Sequence, residues 1–335
     1  MKKLFLITLI LPLLAVSAMA QSLSDQVIKQ FNNITKLEVE GSFCDVTING
    51  ANTQQTEIKG EVYSDASVKI KCEQAGSTLK VWLDKPNRLT GKNKGKLTFS
   101  LPVNTDLAIK TASGSITAEA MGKGAFSFNS ASGSIRLNNL SSAVNANTAS
   151  GSITANNING DITAHSASGS QSYTGIQGSL LTKSASGSIN IKNIGGNVNA
   201  TAASGSISIA GGGNTVKLNT ASGSIKAIDI NGQLSANTAS GAVSLDKVSG
   251  SLNISTVSGS QQGSAITLTG SSNFKSVSGD IRMNLTNSQE QLSFNLETVS
   301  GSLTAKGSNG AKRLQTGNGN IKISGNSVSG SQSYN

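Results

Sequence analysis

Apolar and polar positions follow one another along most of this chain in a unit that returns every 18 residues. Around Gly151 the inward-type positions are Ile153, Ala155 and Ile158; nine residues further on, Gly160 opens a second half with Ile162, Ala164 and Ala167. Each half reads Gly-x-h-x-h-x-x-h-x, where h is apolar or small. The h-x-h segment has period 2, which is a strand with one face turned inward. The additional residue before the last h breaks the alternation and predicts a corner. The following Gly suits a corner because it can take φ > 0 or lie close to neighbouring backbone. The pattern therefore predicts coils of two short parallel strands facing each other across a thin core. Stacked ~4.8 Å apart, about twelve coils make a rod on the order of 55–60 Å long.

The unit is anchored by Thr148-Ala149-Ser150-Gly151-Ser152-Ile153 and its copies. Its glycines are Gly114, Gly133, Gly151, Gly169, Gly187, Gly205, Gly223, Gly241, Gly259, Gly279 and Gly301, with Gly319 in a degraded copy. The steps are 19, then 18 seven times, then 20, 22 and 18. A fixed period in this range is the mark of a solenoid. The fold class expected is all-β: a single-stranded parallel β-helix or β-solenoid of 18-residue, two-strand coils, occupying residues 111–335. Three features depart from the pattern. Gln171, Gln261 and Gln332 replace the first inward Ile, and each should bond to free backbone or sit at a bulge, since a buried unpaired amide is costly. Residues 286–291 should loop out at the 22-residue step, and the Gly-rich stretch after Ala305 should fray.

Residues 1–20 read as a secretory signal: Lys2 and Lys3, an apolar run from Leu4 to Val16, and the cleavage box Ala18-Met19-Ala20. Residues 21–110 alternate less regularly and carry more charge. Strands are expected at Leu37–Glu40, Asp45–Ile48, Thr56–Lys59, Val68–Lys71, Leu79–Leu83 and Lys96–Phe99, forming an irregular β cap over the open N-terminal end of the solenoid. Both cysteines, Cys44 and Cys72, lie in this cap. In an oxidising compartment they are candidates for a disulfide, the alternative being two separate thiols.

Composition adds little chemistry. Aromatic residues make up 4% and charged residues 13%, which suits an exported β protein but no nucleic-acid platform. The formal net charge of +10 is dispersed, and two of its lysines lie in the signal. The densest cationic run is Lys85, Arg88, Lys92, Lys94 and Lys96, read as a hairpin loop that either contacts an acidic polysaccharide or simply discourages edge pairing. Trp82, on the polar parity of its strand, is a candidate ligand platform unless a neighbouring loop covers it. In the repeat body the carboxylates Glu119, Asp161, Asp229, Asp246, Asp280, Glu290 and Glu297 are scattered, and His165 stands among Asn and Ser. No catalytic set, metal cluster or cofactor motif is expected, so an enzyme is not. Asp229 and Lys247 share a column one coil apart and should form an ion pair. The hydroxyl column three residues before each repeat Gly runs from Thr111 through Thr148, Thr220 and Thr298 to Thr316. It either faces a ligand or bonds between coils at a corner.

The early Leu37-x-Val39-x-Gly41 strand, Leu79-Lys80-Val81, Leu97-Thr98-Phe99-Ser100-Leu101-Pro102 and Leu107-Ala108-Ile109-Lys110-Thr111, followed by many Ser-Gly-Ser-Ile turns, together resemble the bacterial putative-adhesin family of unknown function. They are similar also to the related auto-transporter adhesin head, or GIN, domains. The resemblance implies a β-helix-like solenoid at the cell envelope with no catalytic residues. Unlike an autotransporter, the chain reaches Asn335 without a membrane barrel, so self-display is not expected, and no integral membrane segment is expected after signal cleavage. The function expected is non-enzymatic binding of a cell-surface glycan or protein, in the periplasm, on the cell surface or secreted, through repetitive Ser/Thr/Asn faces. The alternatives are a self-associating structural envelope protein and, third, an ice-binding protein. Nucleic acid is not an expected partner.

Overall fold

The structure is a computed structural model and describes residues 22–335. The expected signal lies outside the described residues. The chain winds into two facing, largely parallel sheets of 18 and 16 strands. Each body coil places one strand in each sheet. Ile153–Ile158 of the first sheet pairs in parallel with Ile135–Leu140 and Gln171–Ile176, while Val144–Thr148 of the second pairs with Phe126–Ser130 and Ile162–Ser166. Register holds at 18 residues, so Ile135, Ile153 and Gln171 form one column and Ala146 and Ala164 another. These inward residues are fully buried, and the core is a narrow slab of Ile, Val, Leu and Ala between the sheets. At ~4.8 Å per step, the 16 strands of the second sheet span roughly 70 Å.

The corners separate two roles that the sequence left open for glycine. The repeat glycines serve close approach. A methyl group built on Gly151 would lie 2.1 Å from the carbonyl oxygen of Gly133, and one on Gly223 would lie 2.1 Å from that of Gly205. From Gly114 to Gly259 positive φ falls elsewhere, on the additional residue that breaks the alternation, whereas Gly279 and Gly301 near the C-terminal end take positive φ themselves. Asn139, Asn157, Gly175, Asn193, Gly211, Asp229, Lys247 and Ala265 all take left-handed φ, at 18-residue spacing. Asn, Asp and Gly reach that region at least cost, which accounts for most of the column. Asp229 and Lys247 do share a column one coil apart, but among the described residues no ion pair joins them. Both mark this left-handed corner instead.

All six strands expected in the N-terminal region form, together with Leu23–Asn32, which its mostly exposed side chains kept from recognition. Their stacking does not follow chain order. Lys36–Glu40 lies between Thr78–Asp84 and Asp106–Thr111, and Asp45–Ala51 lies between Lys94–Pro102 and Ile116–Glu119. The first coil of the chain is thus inserted between the second and the third. Antiparallel strands close the end: Lys69–Ala75 on one sheet, Gln55–Tyr63 and then Leu23–Asn32 on the other.

The C-terminal end repeats this arrangement and corrects the expectation of fraying. Ile321–Ser329 is inserted between Ser272–Ser278 and Leu292–Ser300, and Gln332–Tyr334 between Ile281–Leu285 and Leu303–Ala305. The glycine stack records it: Gly330 packs on Gly279, and Gly301 on Gly330. Tyr334 is 0% exposed and its ring lies 5.6 Å from that of Phe274 and 5.7 Å from that of Phe294. Antiparallel Arg313–Thr316 and Ser308–Gly310 cover the outer edges. Phe294–Glu297 and Leu303–Ala305 of the outermost coil are thereby paired on their outer side. The insertion at residues 286–291 does loop out, with a short 3₁₀ turn at Gln289–Gln291.

Two of the three glutamines are paired at both ends of their amides, and the third at one. Gln171 donates to the Lys183 carbonyl at 2.6 Å, and its own carbonyl accepts from the hydroxyls of Tyr173 and Thr182. Gln332 donates to the Glu297 carbonyl at 2.8 Å and accepts from Tyr334 at 3.3 Å. Both stand in the pentapeptide Gly-Ser-Gln-Ser-Tyr. Gln261 is followed by Gly263 rather than Tyr; its amide donates to the Lys275 carbonyl, but its own carbonyl has no partner.

Candidate functional site

The structure does not gather the cationic run into one site. Lys85, Arg88 and Lys92 lie on an exposed crossover. It is not a hairpin loop, because its flanking strands Thr78–Asp84 and Lys94–Pro102 belong to opposite sheets. Lys94 and Lys96 point outward from the first sheet, beside Asp45 and Tyr63. Trp82 is half-buried on the outer face of the second sheet, between Glu40 and Lys71 of the adjacent strands. The platform and the two strand-borne cations therefore lie on strands of opposite sheets.

Cys44 and Cys72 are free, so the candidate disulfide is absent from this structure. Cys44 is buried against Gly95, and burial, aided by the Asp45 carboxylate, pushes its thiol up to about 12. Cys72 faces Val81 across an antiparallel pair, and burial raises its thiol as well. No cluster of three potential metal ligands occurs among the described residues. Several acids are tied to backbone N–H groups at coil corners: Asp161 accepts from Ser179 at 2.7 Å, Asp45 from Ser115 at 2.7 Å and Asp106 from Ala125 at 2.8 Å.

The hydroxyl column proves to be internal. From Thr111 to Thr298 its members are at most 8% exposed. Each typical hydroxyl accepts from the Gly N–H three residues on and donates to the Gly carbonyl of the preceding coil. Thr238 makes these bonds at 3.1 Å with Gly241 and 2.9 Å with Gly223. Thr220 does the same with Gly223 and Gly205. The column is a ladder between coils and presents no flat Thr face to ice or sugar. Thr316 leaves the column, and Ser327 takes its place between Ser276 and Thr298.

Two kinds of surface remain. The first is a set of asparagine pairs on the outward faces, each joining two adjacent coils: Asn147 donates to Asn129, Asn156 to Asn138 and Asn237 to Asn219, each at 3.0 Å. The second was not recognised in the sequence. A groove follows the corner where the chain leaves the second sheet. Its floor is the hydroxyl column, and one bank carries His165, Lys183, Thr201, Asn219, Asn237 and Ser255. The other bank is Ala185, Ala203, Ala221 and Ala239, and then Val257. It continues past Val257, Val277, Val328 and Val299, which lie on four successive coils and are 48–69% exposed. The sequence signal is the change from Thr-Ala-Ser-Gly to Val at the same position in the last coils, readable only once the inserted coil puts Val328 beside Val277.

The Toastrack DUF4097 family model matches residues 34–212 and again 212–335. This chain belongs to that family. As a Toastrack protein it is similar to three solved structures, each covered almost completely. A putative cell adhesion protein from Clostridium sporogenes is 10% identical, over 92% of this chain and 99% of that one, with a TM-score of 0.20. A putative adhesin from Bacteroides fragilis is 11% identical, over 93% and 97%, with a TM-score of 0.25. A putative lipid binding protein from Parabacteroides distasonis is 16% identical, over 78% and 97%, with a TM-score of 0.30. Likenesses of that size pass no ligand to this Toastrack chain. No curated protein matches it. Among the described residues, no helix is long and apolar enough to cross a membrane.

Proposed function

We propose that this Toastrack solenoid is a non-enzymatic binding rod, exported by its N-terminal signal to the cell envelope or beyond. There it adheres to a surface glycan or protein through its repeated polar faces. The observation that carries this reading is the asparagine pairs. Their amides are held by one another across two adjacent coils, so their donors and acceptors need little further ordering on binding. A repeated, preorganised surface suits a repeated partner, because many weak contacts combine.

The test is a pull-down of the purified protein on intact cells, peptidoglycan and a panel of insoluble polysaccharides. Saturable binding to one of these surfaces is the expected result. A folded, monomeric protein that binds none of them would overturn the adhesive reading in favour of a structural envelope role.

A further inference from the structure

The corner groove has a more specific chemistry than the polar faces. Over most of its length the floor hydroxyls are engaged by the glycine ladder, so they have little left to offer a ligand. One bank is methyl and isopropyl groups, and the other bears one polar side chain per coil. At the C-terminal half the ladder is interrupted by the inserted coil. Gly279 there donates to the Ser329 carbonyl, and the Ser276 hydroxyl, buried in the floor, has no hydrogen-bond partner among the described residues. Lys275 and Lys312 line the same stretch, with Lys183 further along, and among the described residues no ion pair engages any of the three. The one carboxylate in this stretch, Glu297, is held by Arg313 at 2.9 Å.

We propose that this groove binds an extended acidic polysaccharide, anchored at Lys275 and Lys312 against the valine bank. The proposal rests on the adhesive reading above and names its ligand and place. A sugar ring has a C–H face and a hydroxyl edge, which match the apolar bank and the polar bank, and a uronate carboxylate meets the uncompensated lysines. Charge opposes groove-to-groove pairing with a second copy of this chain, which would bring the same lysines. A polypeptide strand would need a free sheet edge, but the floor strands are paired on both sides through this stretch. An acyl chain would stay half in water, because the groove is open along its length. Among the described residues one aromatic ring lines it, the His165 imidazole near one end, too few to stack successive nucleotide bases. The groove crosses nine coils from Ser166 to Thr298, ~38 Å at the strand spacing, so affinity should rise with oligosaccharide length and level off once the groove is filled.

Calorimetric titration of the full protein with graded alginate and polygalacturonate oligomers tests this, with dextran and poly-L-glutamate as neutral and peptidic controls. The wild type should bind uronate oligomers in a length- and salt-dependent way and bind neither control. Lys275→Glu with Lys312→Glu, both exposed, should weaken binding on the order of tenfold or more. Val277→Asp should weaken it too, with circular dichroism unchanged. Replacing Lys85, Arg88, Lys92, Lys94 and Lys96 by Ser should leave binding intact. The proposal is overturned if the groove variants bind like the wild type, if only the cap variant loses binding, if poly-L-glutamate binds as tightly, or if no uronate oligomer binds. Cell-surface binding that persists in the groove variants would retire the groove and leave the adhesive reading standing.

Discussion

The body of the rod and its two ends solve one problem in different ways. In the body, each coil stacks on the coil that precedes it in the chain, 18 residues away, and the same contacts recur from Gly133 to Gly259. At both ends chain order and spatial order part. The terminal coil is inserted one place inward, and antiparallel strands take the outer edge. A parallel coil left at an end would expose one unpaired ladder and could fray. Insertion clamps the terminal coil on both sides and leaves antiparallel strands at the edges, short at the C-terminal end and the ten-residue Leu23–Asn32 at the N-terminal one. The body is therefore an additive stack, and the ends are non-local locks.

The largest expected effect separates the two. Deleting residues 318–335 should cost about 5 kcal/mol or more and abolish a single cooperative transition, because it empties a slot between two coils. Deleting residues 187–204, one whole body coil, should leave a cooperative protein with a slightly lower midpoint. Denaturant unfolding followed by circular dichroism checks both. If the two deletions cost the same, the distinction between lock and stack fails.

Next comes Gly151→Ala, expected to cost about 3 kcal/mol because its methyl group would meet the Gly133 carbonyl oxygen. Gln171→Leu should cost about 2 kcal/mol by removing the acceptor that the Tyr173 and Thr182 hydroxyls share and the donor to the Lys183 carbonyl. Gln261→Leu, at the matching position near the C-terminal lock, should cost about 1 kcal/mol or less, since the Gln261 carbonyl is already unpaired. Equal costs would contradict the reading of Gly-Ser-Gln-Ser-Tyr as a paired buried motif.

Alkaline pH tests the N-terminal lock. Cys44 keeps its proton in the fold up to about 12, whereas an unfolded thiol ionises near 9.0. Its contribution is fully present below pH 9 and is lost as pH rises from 9 towards 12, at ~1.4 kcal/mol per pH unit. Cys44→Ala should flatten that part of the stability profile; an unchanged slope would mean that the thiol is not buried there. The smallest effect belongs to the corners. Ala265→Gly should stabilise by roughly 0.5–1 kcal/mol, because Ala265 holds a left-handed φ of 53°. Thermal melts would show a fall instead if the corner were not strained.

How much of this was legible follows from which contacts are local. The period-2 inward pattern and the 18-residue step specify the coil, since Ile153 and Ile135 meet simply by stacking. The glycines were located correctly, but spacing alone does not say whether a Gly serves φ or close approach. The left-handed column from Asn139 to Ala265 carries that information in its Asn, Gly and Asp residues. The hydroxyl column was visible as a row, yet only coordinates show that Thr220 and Thr238 turn their oxygens to backbone. The inserted ends were not legible, because nothing within residues 321–335 names its neighbours as residues 272–285 and 292–305. The groove was missed for the same reason.

The most direct measurement is amide hydrogen exchange on the intact chain, comparing residues 321–334 with the central coils at residues 144–176. Locked ends predict that the C-terminal coil exchanges as slowly as the centre, through opening of the whole stack. Fast exchange across residues 321–334, with the centre still protected, would mean that the chain ends in an open, frayed coil and would contradict the account.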